Sequence, residues 1–255
     1  MNVMKKIFAF GDSVMKGVIT TPQPICDGAV KYMVAEDNFV NTCAQRLGVD
    51  IENLSRFGST ILNGIDYINR YFNRIGKGDL VVLEFGGNDC NFDWKAISNN
   101  PLGEHKPKLT LQQFSNAYNQ LIDKVLEQEA IPVLLSLPEL NSAKFFAHVS
   151  TGLNKQNILQ WLEGDVANID HWHEQYNLEV FKIGMRRNVR VIDISTIFLQ
   201  QRNLAEYLCE DGMHPNEFGH KLIADAIYSE VCLINEGRFL SMLQKEYLGI
   251  KCISA

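Results

Sequence analysis

Five short apolar runs punctuate the chain, at residues 6–10, 49–53, 80–86, 131–137 and 189–194. Leu80-Val81-Val82-Leu83-Glu84-Phe85 and Ile131-Pro132-Val133-Leu134-Leu135 are apolar almost without a break. A strand with one wet face alternates apolar and polar positions. Runs without that alternation predict parallel strands covered on both faces. Between the runs, apolar positions recur at helical spacing. Phe39, Cys43, Ala44 and Leu47 make one stripe, ended by Gly48. Ile61, Ile65, Ile68 and Phe72 make a second, ended near Gly76, and Leu111, Phe114, Tyr118, Leu121, Val125 and Leu126 make a third. The stretches 166–187 and 217–233 also read as helical. Strand and helix in alternation predict a doubly wound parallel sheet in one domain spanning residues 1–255.

Two segments, 90–110 and 138–164, are longer than plain connections need. Each follows the end of a predicted strand, so each is expected to hang over the edge where an open α/β sheet binds its ligands.

Composition narrows the picture by exclusion. The 255 residues carry a formal net charge of −6, which argues against non-specific binding to nucleic acid or an anionic membrane. With 46% hydrophobic and 21% charged residues the chain reads as an ordinary globular protein. It has no apolar run of about 18 residues, so no membrane span is expected. The apolar run after Lys5 and Lys6 is too short for a signal-peptide core and reads as the first strand, which points to a cytoplasmic protein. The six cysteines, at 26, 43, 90, 209, 232 and 252, stand in no Cys-x-x-Cys spacing and are expected to be free thiols. His171 and His173 are two apart, so they do not share a helix face. No metal site is expected.

The candidate chemistry sits where the strands end. Gly11, Asp12 and Ser13 close the first strand, which displays Ser13 as a nucleophile would be displayed. The stretch 53–58, Asn-Leu-Ser-Arg-Phe-Gly, follows the second strand, and Gly86-Gly87-Asn88-Asp89 follows the third. Asp211-Gly212-Met213-His214-Pro215-Asn216 precedes the last helix. Ester hydrolysis needs a nucleophile, a base, a group that orients the base, and donors for the oxyanion. Ser13, His214 and Asp211 supply the first three. A tight turn through Gly212 can bring the Asp211 carboxylate back to Nδ1 of His214. Backbone N–H groups of Ser13 and Gly58 and the side-chain amide of Asn88 supply the donors. Each piece alone has a structural reading as a cap or a turn.

Taken together, the four blocks resemble those of the SGNH (GDSL-type) hydrolases. Gly11-Asp12-Ser13-Val14 matches the first block, with Val14 in place of the commonest leucine. Residues 53–58, 86–89 and 211–216 match the others in the family's order. The resemblance implies a flavodoxin-like α/β/α sandwich with a five-stranded parallel sheet. It implies a Ser13–His214–Asp211 triad, an oxyanion hole of Ser13, Gly58 and Asn88, and no cofactor. It does not identify the substrate.

Asp12, Asp89, Phe92 and Trp94 are the candidate substrate-binding residues. The 90–110 segment mixes Phe92 and Trp94 with Asp93, Asn99, Asn100, Glu104 and His105, which suits an acylated sugar. The 138–164 segment holds Leu140, Phe145, Phe146, Val149, Leu153, Ile158, Leu159 and Trp161. Those aromatics predict a pocket closed to long acyl chains, although Ile158, Leu159 and Trp161 could equally pack a short helix onto the body. The expected activity is hydrolysis of a short-chain acyl ester of a small molecule. A lipase or thioesterase, an acyltransferase with the same residues, and a non-catalytic binding protein remain open.

Overall fold

The computed structural model describes residues 6–21 and 31–247, the last helix beyond residue 232 in its backbone only. Cys26 and Cys252 lie outside the described residues, and Cys43, Cys90, Cys209 and Cys232 form no disulfide. In chain order the strands are β1 (Ile7–Gly11), β2 (Val18–Thr20), β3 (Tyr32–Val34), β4 (Ile51–Asn53), β5 (Leu80–Glu84), β6 (Ile131–Leu135) and β7 (Arg190–Ile192). Five of them form one parallel sheet in the order β4-β1-β5-β6-β7. Its strands fall on the five apolar runs, β1 shifted by one residue to 7–11 and the other four shorter than their runs by two or three residues.

Alternate side chains of the strands feed two cores. Phe8, Phe10, Val81 and Leu83 pack under the helices Ile61–Tyr71, Leu111–Glu127 and Asn168–Arg187. Ala9 and Leu135 face the other way, against the helix Phe39–Leu47 and the start of the helix Glu217–Tyr247. The result is a flavodoxin-like α/β/α sandwich. The chain steps from β1 out to β4 and returns to β5 on the other side of β1. The topological switch therefore lies at the carboxyl ends of β1 and β5, where such sheets bind ligands.

Three features depart from the sequence pattern. The antiparallel hairpin of β2 and β3 was not anticipated, because three-residue strands carry too little periodicity to read. The 90–110 segment contains a helix, Trp94–Asn99, and the 138–164 segment contains two, Ser142–Val149 and Lys155–Trp161. The two segments are joined to each other. Ser98 Oγ accepts from Asn154 N (2.8 Å) and Asn157 Nδ2 donates to Ser98 O (2.7 Å). Trp94, Ile97, Phe145, Ile158, Leu162 and Ile169 form a separate apolar cluster between them. Finally, the last helix runs to Tyr247 rather than to residue 233.

Candidate active site

Asp12 caps the short helix Ser13–Lys16, its Oδ1 accepting from Val14 N at 2.8 Å. This puts Ser13 at the first helical position, just past β1, with its N–H among the donors that a helix start leaves unpaired. Asn53, at the end of β4, ties the neighbouring loop to this helix through Nδ2 to Met15 O (2.8 Å), and Arg56 N donates to Gly11 O (3.1 Å). The loop then turns at Gly58 with φ of +70°, a left-handed conformation that favours glycine. Among the described residues, neither the Ser13 N–H nor the Gly58 N–H has an acceptor.

The third element is the turn before the last helix. Gly212 takes φ of +74°, and a Cβ there would lie 2.5 Å from Phe145 N, so the turn can only be this tight with glycine. It folds Asp211 back on itself. Oδ1 accepts from Met213 N and His214 N, each at 3.1 Å, and Oδ2 lies 2.6 Å from His214 Nδ1. His214 Nε2 lies 2.8 Å from Ser13 Oγ. All three side chains are buried. Burial works against ionising Asp211, but the hydrogen bonds from His214 outweigh it and hold the carboxyl below its ordinary value. An anionic Asp211 fixes the His214 proton on Nδ1 and leaves Nε2 free to accept from Ser13.

Asn88 is aimed by a carboxylate. Its Nδ2 donates to Asp12 Oδ2 at 2.9 Å, which leaves its second N–H for the cleft. Behind Asp12 stands Glu84, the last residue of β5, 1% exposed. Burial pushes both carboxyls up, and the charge of Asp12 adds to the effect at Glu84, which lies well above the ordinary range. Glu84 Oε2 has no hydrogen-bond partner among the described residues, and Asp12 in turn receives Asn88.

The structure brings Ser13, Gly58, Asn88 and His214 to one cleft, together with Phe92 and Trp94, and places Asp211 behind His214. It corrects the reading of the other two substrate-binding candidates. Asp12 is 2% exposed and spends its oxygens on Val14 N and Asn88. Asp89 is fully buried and points away from the cleft, its Oδ1 accepting from Ile61 N at the start of the neighbouring helix (2.9 Å). Burial pushes its carboxyl up to about 7. Both carboxylates brace the site through backbone and side-chain hydrogen bonds, Asp12 from within the cleft lining and Asp89 from outside it. Trp94 is also not an open stacking face. It is 8% exposed, donates through Nε1 to Asn91 Oδ1 (2.8 Å), and is packed among Phe92, Phe145 and Trp161.

Sequence reasoning missed four neighbours of the cleft. Glu84 did carry a signal, being the single charge in an otherwise apolar run. Phe57 stacks on His214 with centroids 6.0 Å apart and planes 17° apart, and it is 54% exposed. Tyr32, on β3, meets the His214 ring edge-on at 5.3 Å. His173 lines the cleft and His171 does not. The cavity that all these residues enclose measures about 200 Å³.

Residues 7–227 match the family model described as GDSL-like Lipase/Acylhydrolase. The chain belongs to this family. Members of the GDSL family are serine ester hydrolases, and the chain is an enzyme of that class. It is similar to the uncharacterized protein YpmR of Bacillus subtilis (strain 168), with 24% identity over 229 residues, 88% of this chain and 80% of that one. Among solved structures it is similar to a lipase/acylhydrolase from Enterococcus faecalis, with a TM-score of 0.61 and 18% identity, covering 89% of this chain and 95% of the other. It is similar in fold to an acetyl-xylooligosaccharide esterase from Geobacillus Stearmophilus, with a TM-score of 0.59 and 17% identity over 89% of this chain and 94% of the other. Among the described residues no helix is long and apolar enough to cross a membrane.

Proposed function

We propose that the protein hydrolyses short-chain acyl esters of small polar molecules through an acyl-enzyme on Ser13. The observation that carries this reading is the hydrogen-bonded chain Ser13–His214–Asp211 opening onto a cavity closed by aromatic rings. Ser13 Oγ attacks the ester carbonyl carbon as its proton passes to His214 Nε2. The carbonyl oxygen, now an anion, rests on the N–H groups of Ser13 and Gly58 and on Asn88 Nδ2. The carbon–oxygen bond to the alcohol then breaks, and the same proton moves from Nε2 to the departing oxygen. Water repeats the sequence on the acyl-enzyme, losing a proton to His214 and releasing the acid and free Ser13. No step calls on a cofactor.

Acetylated carbohydrate is the favoured substrate class within this reading. The departing alcohol must lie beside His214 Nε2, where the exposed ring of Phe57 and the ring of Tyr32 offer a flat, half-wet surface suited to a sugar. The acetyl-xylooligosaccharide esterase of similar fold lends support. The test is a fluorophosphonate probe followed by an ester panel. Labelling at Ser13 and turnover of acetylated sugars are expected. Absence of labelling on folded protein would remove the nucleophile and the reading with it, and transfer to added alcohols in preference to water would make the enzyme an acyltransferase.

A further inference from the structure

The cleft has two ends with different chemistry. At one end Tyr32 and Phe57 flank the His214 ring. The departing alcohol belongs there, because His214 must protonate it. The acyl substituent then points away from these rings toward the remaining lining, which includes Leu137, Pro138, Ile169 and Trp172. These four are apolar, and the lining also holds His173, which is 7% exposed.

His173 has no hydrogen-bond partner among the described residues, and nothing but burial acts on its ring. Burial pushes it down to about 4, so the imidazole is neutral, with one N–H to donate and one nitrogen to accept. Its nitrogens are not among the fully enclosed polar atoms that lack a partner, so they keep an accessible face at the cleft that His173 lines, where a bound group can meet them. Its placement is not loose. One turn further along the same helix, Asn177 Oδ1 accepts from Leu137 N (2.9 Å) and its Nδ2 donates to Ser195 Oγ (3.0 Å). These bonds pin the helix to the strand end near Leu137.

We propose that His173 is a substrate-binding residue that selects short acyl groups carrying a hydroxyl. A hydroxyl matches a neutral imidazole, since each can donate once and accept. A carboxylate does not fit. No Lys or Arg lines the cleft among the described residues, while Asp12, Glu84 and Asp211 stand at or behind it. The proposal rests on the esterase reading above and keeps its polar alcohol part, but it puts a hydroxylated short acyl group ahead of acetyl in preference, with acetyl esters still turned over.

The test compares p-nitrophenyl butyrate with p-nitrophenyl 2- and 3-hydroxybutyrate, the leaving group held constant. In the wild type, kcat/KM for at least one hydroxy ester should exceed that for butyrate about tenfold or more, because a site built to bond a hydroxyl rejects the analogue that lacks it. His173→Phe keeps an aromatic ring and removes both nitrogens, and should bring the ratio to one or below. His173→Gln should keep part of it. Each ratio is taken on one preparation, so the fraction of active enzyme cancels, and the wild-type ratio stands even if a variant fails to fold. A wild-type ratio near one for both hydroxy esters, or an unchanged ratio in His173→Phe, overturns the assignment. If the wild type still labels at Ser13 and hydrolyses butyrate in that case, the esterase reading survives alone. Without labelling or hydrolysis, both readings fall.

Discussion

The two walls of the cleft are built by opposite means. The polar wall consists of side chains that hydrogen-bond backbone within a few residues of themselves, Asp12 to Val14 N and Asp211 to Met213 N and His214 N. Its atoms are fixed by short, directional bonds at strand ends. The aromatic wall has almost no such bonds. Phe92 meets Trp172 at a centroid distance of 4.9 Å and Trp94 at 6.2 Å, and Trp94 meets Phe145 at 5.9 Å, held by packing between three segments far apart in sequence. Directional bonds set where a reacting atom sits to a fraction of an ångström, and catalysis depends steeply on that placement. Apolar packing sets volume and shape, on which selectivity depends more gently. The comparison teaches that damage to the polar wall should appear in kcat, and damage to the aromatic wall in the choice of substrate.

The largest effect tests the polar wall at its centre. Ser13→Ala should lower kcat by on the order of 10⁴-fold or more with the fold intact. Retention of more than about a hundredth of wild-type kcat in the folded variant would remove Ser13 as nucleophile. Next comes Asn88→Ala, expected to lower kcat by about 10²- to 10³-fold with KM little changed, the usual loss for one oxyanion donor. Steady-state kinetics separates this from ground-state binding, where KM would rise at constant kcat.

The aromatic wall should respond differently. Along a series of p-nitrophenyl esters, kcat/KM should gain up to about fourfold per methylene while each is buried, then fall once the chain meets Phe92 and Trp172. Phe92→Ala should move the optimum to a longer acyl chain and leave kcat on the best substrate within about tenfold. A steady rise from acetate through decanoate in the wild type would mean that the wall does not close, and would move the enzyme to the lipase side of its family.

The smallest effect concerns stability. Burial raises Asp89 to about 7 in the folded protein, against about 4 in an unfolded chain. Between these values the folded state holds a proton that the unfolded state has released, so stability falls as pH rises through the window from about 4 to about 7. Asp89→Asn keeps an acceptor for Ile61 N and removes the titration. Thermal melts at pH 4.5 and pH 7.5 should show the wild-type Tm dropping by a few degrees more than that of the variant. Equal slopes would show that Asp89 does not titrate in that window.

The same contrast explains what could be read from the chain alone. The central strands were visible because a strand covered on both faces must be continuously apolar, as Val81 to Leu83 are, whereas the edge strands β4 and β7 carry Glu52, Asn53 and Arg190 and read less clearly. The polar wall was visible because its geometry is local. Asp211 reaches His214 across one glycine turn, and residues three apart announce their neighbourhood. The aromatic wall was visible only as composition. Nothing in the spacing of Phe92, Phe145 and Trp172 says that they meet, and the joining bonds of Ser98 to Asn154 and Asn157 link positions more than fifty residues apart. Asp12 and Asp89 were misread for a related reason. A carboxylate at a strand end can face the cleft or turn inward, and its neighbours in space decide which.

The acid–base contact and the nucleophile–base contact also differ in chain entropy. Asp211 and His214 enclose a loop of three residues, closed by turn geometry alone. Ser13 and His214 stand 201 residues apart, and closing so long a loop is unfavourable until the sheet between them has formed. A half-made chain, or one that has opened locally, can therefore keep its aspartate–imidazole contact without an activated serine. Reactivity toward acyl groups switches on with the last step of assembly.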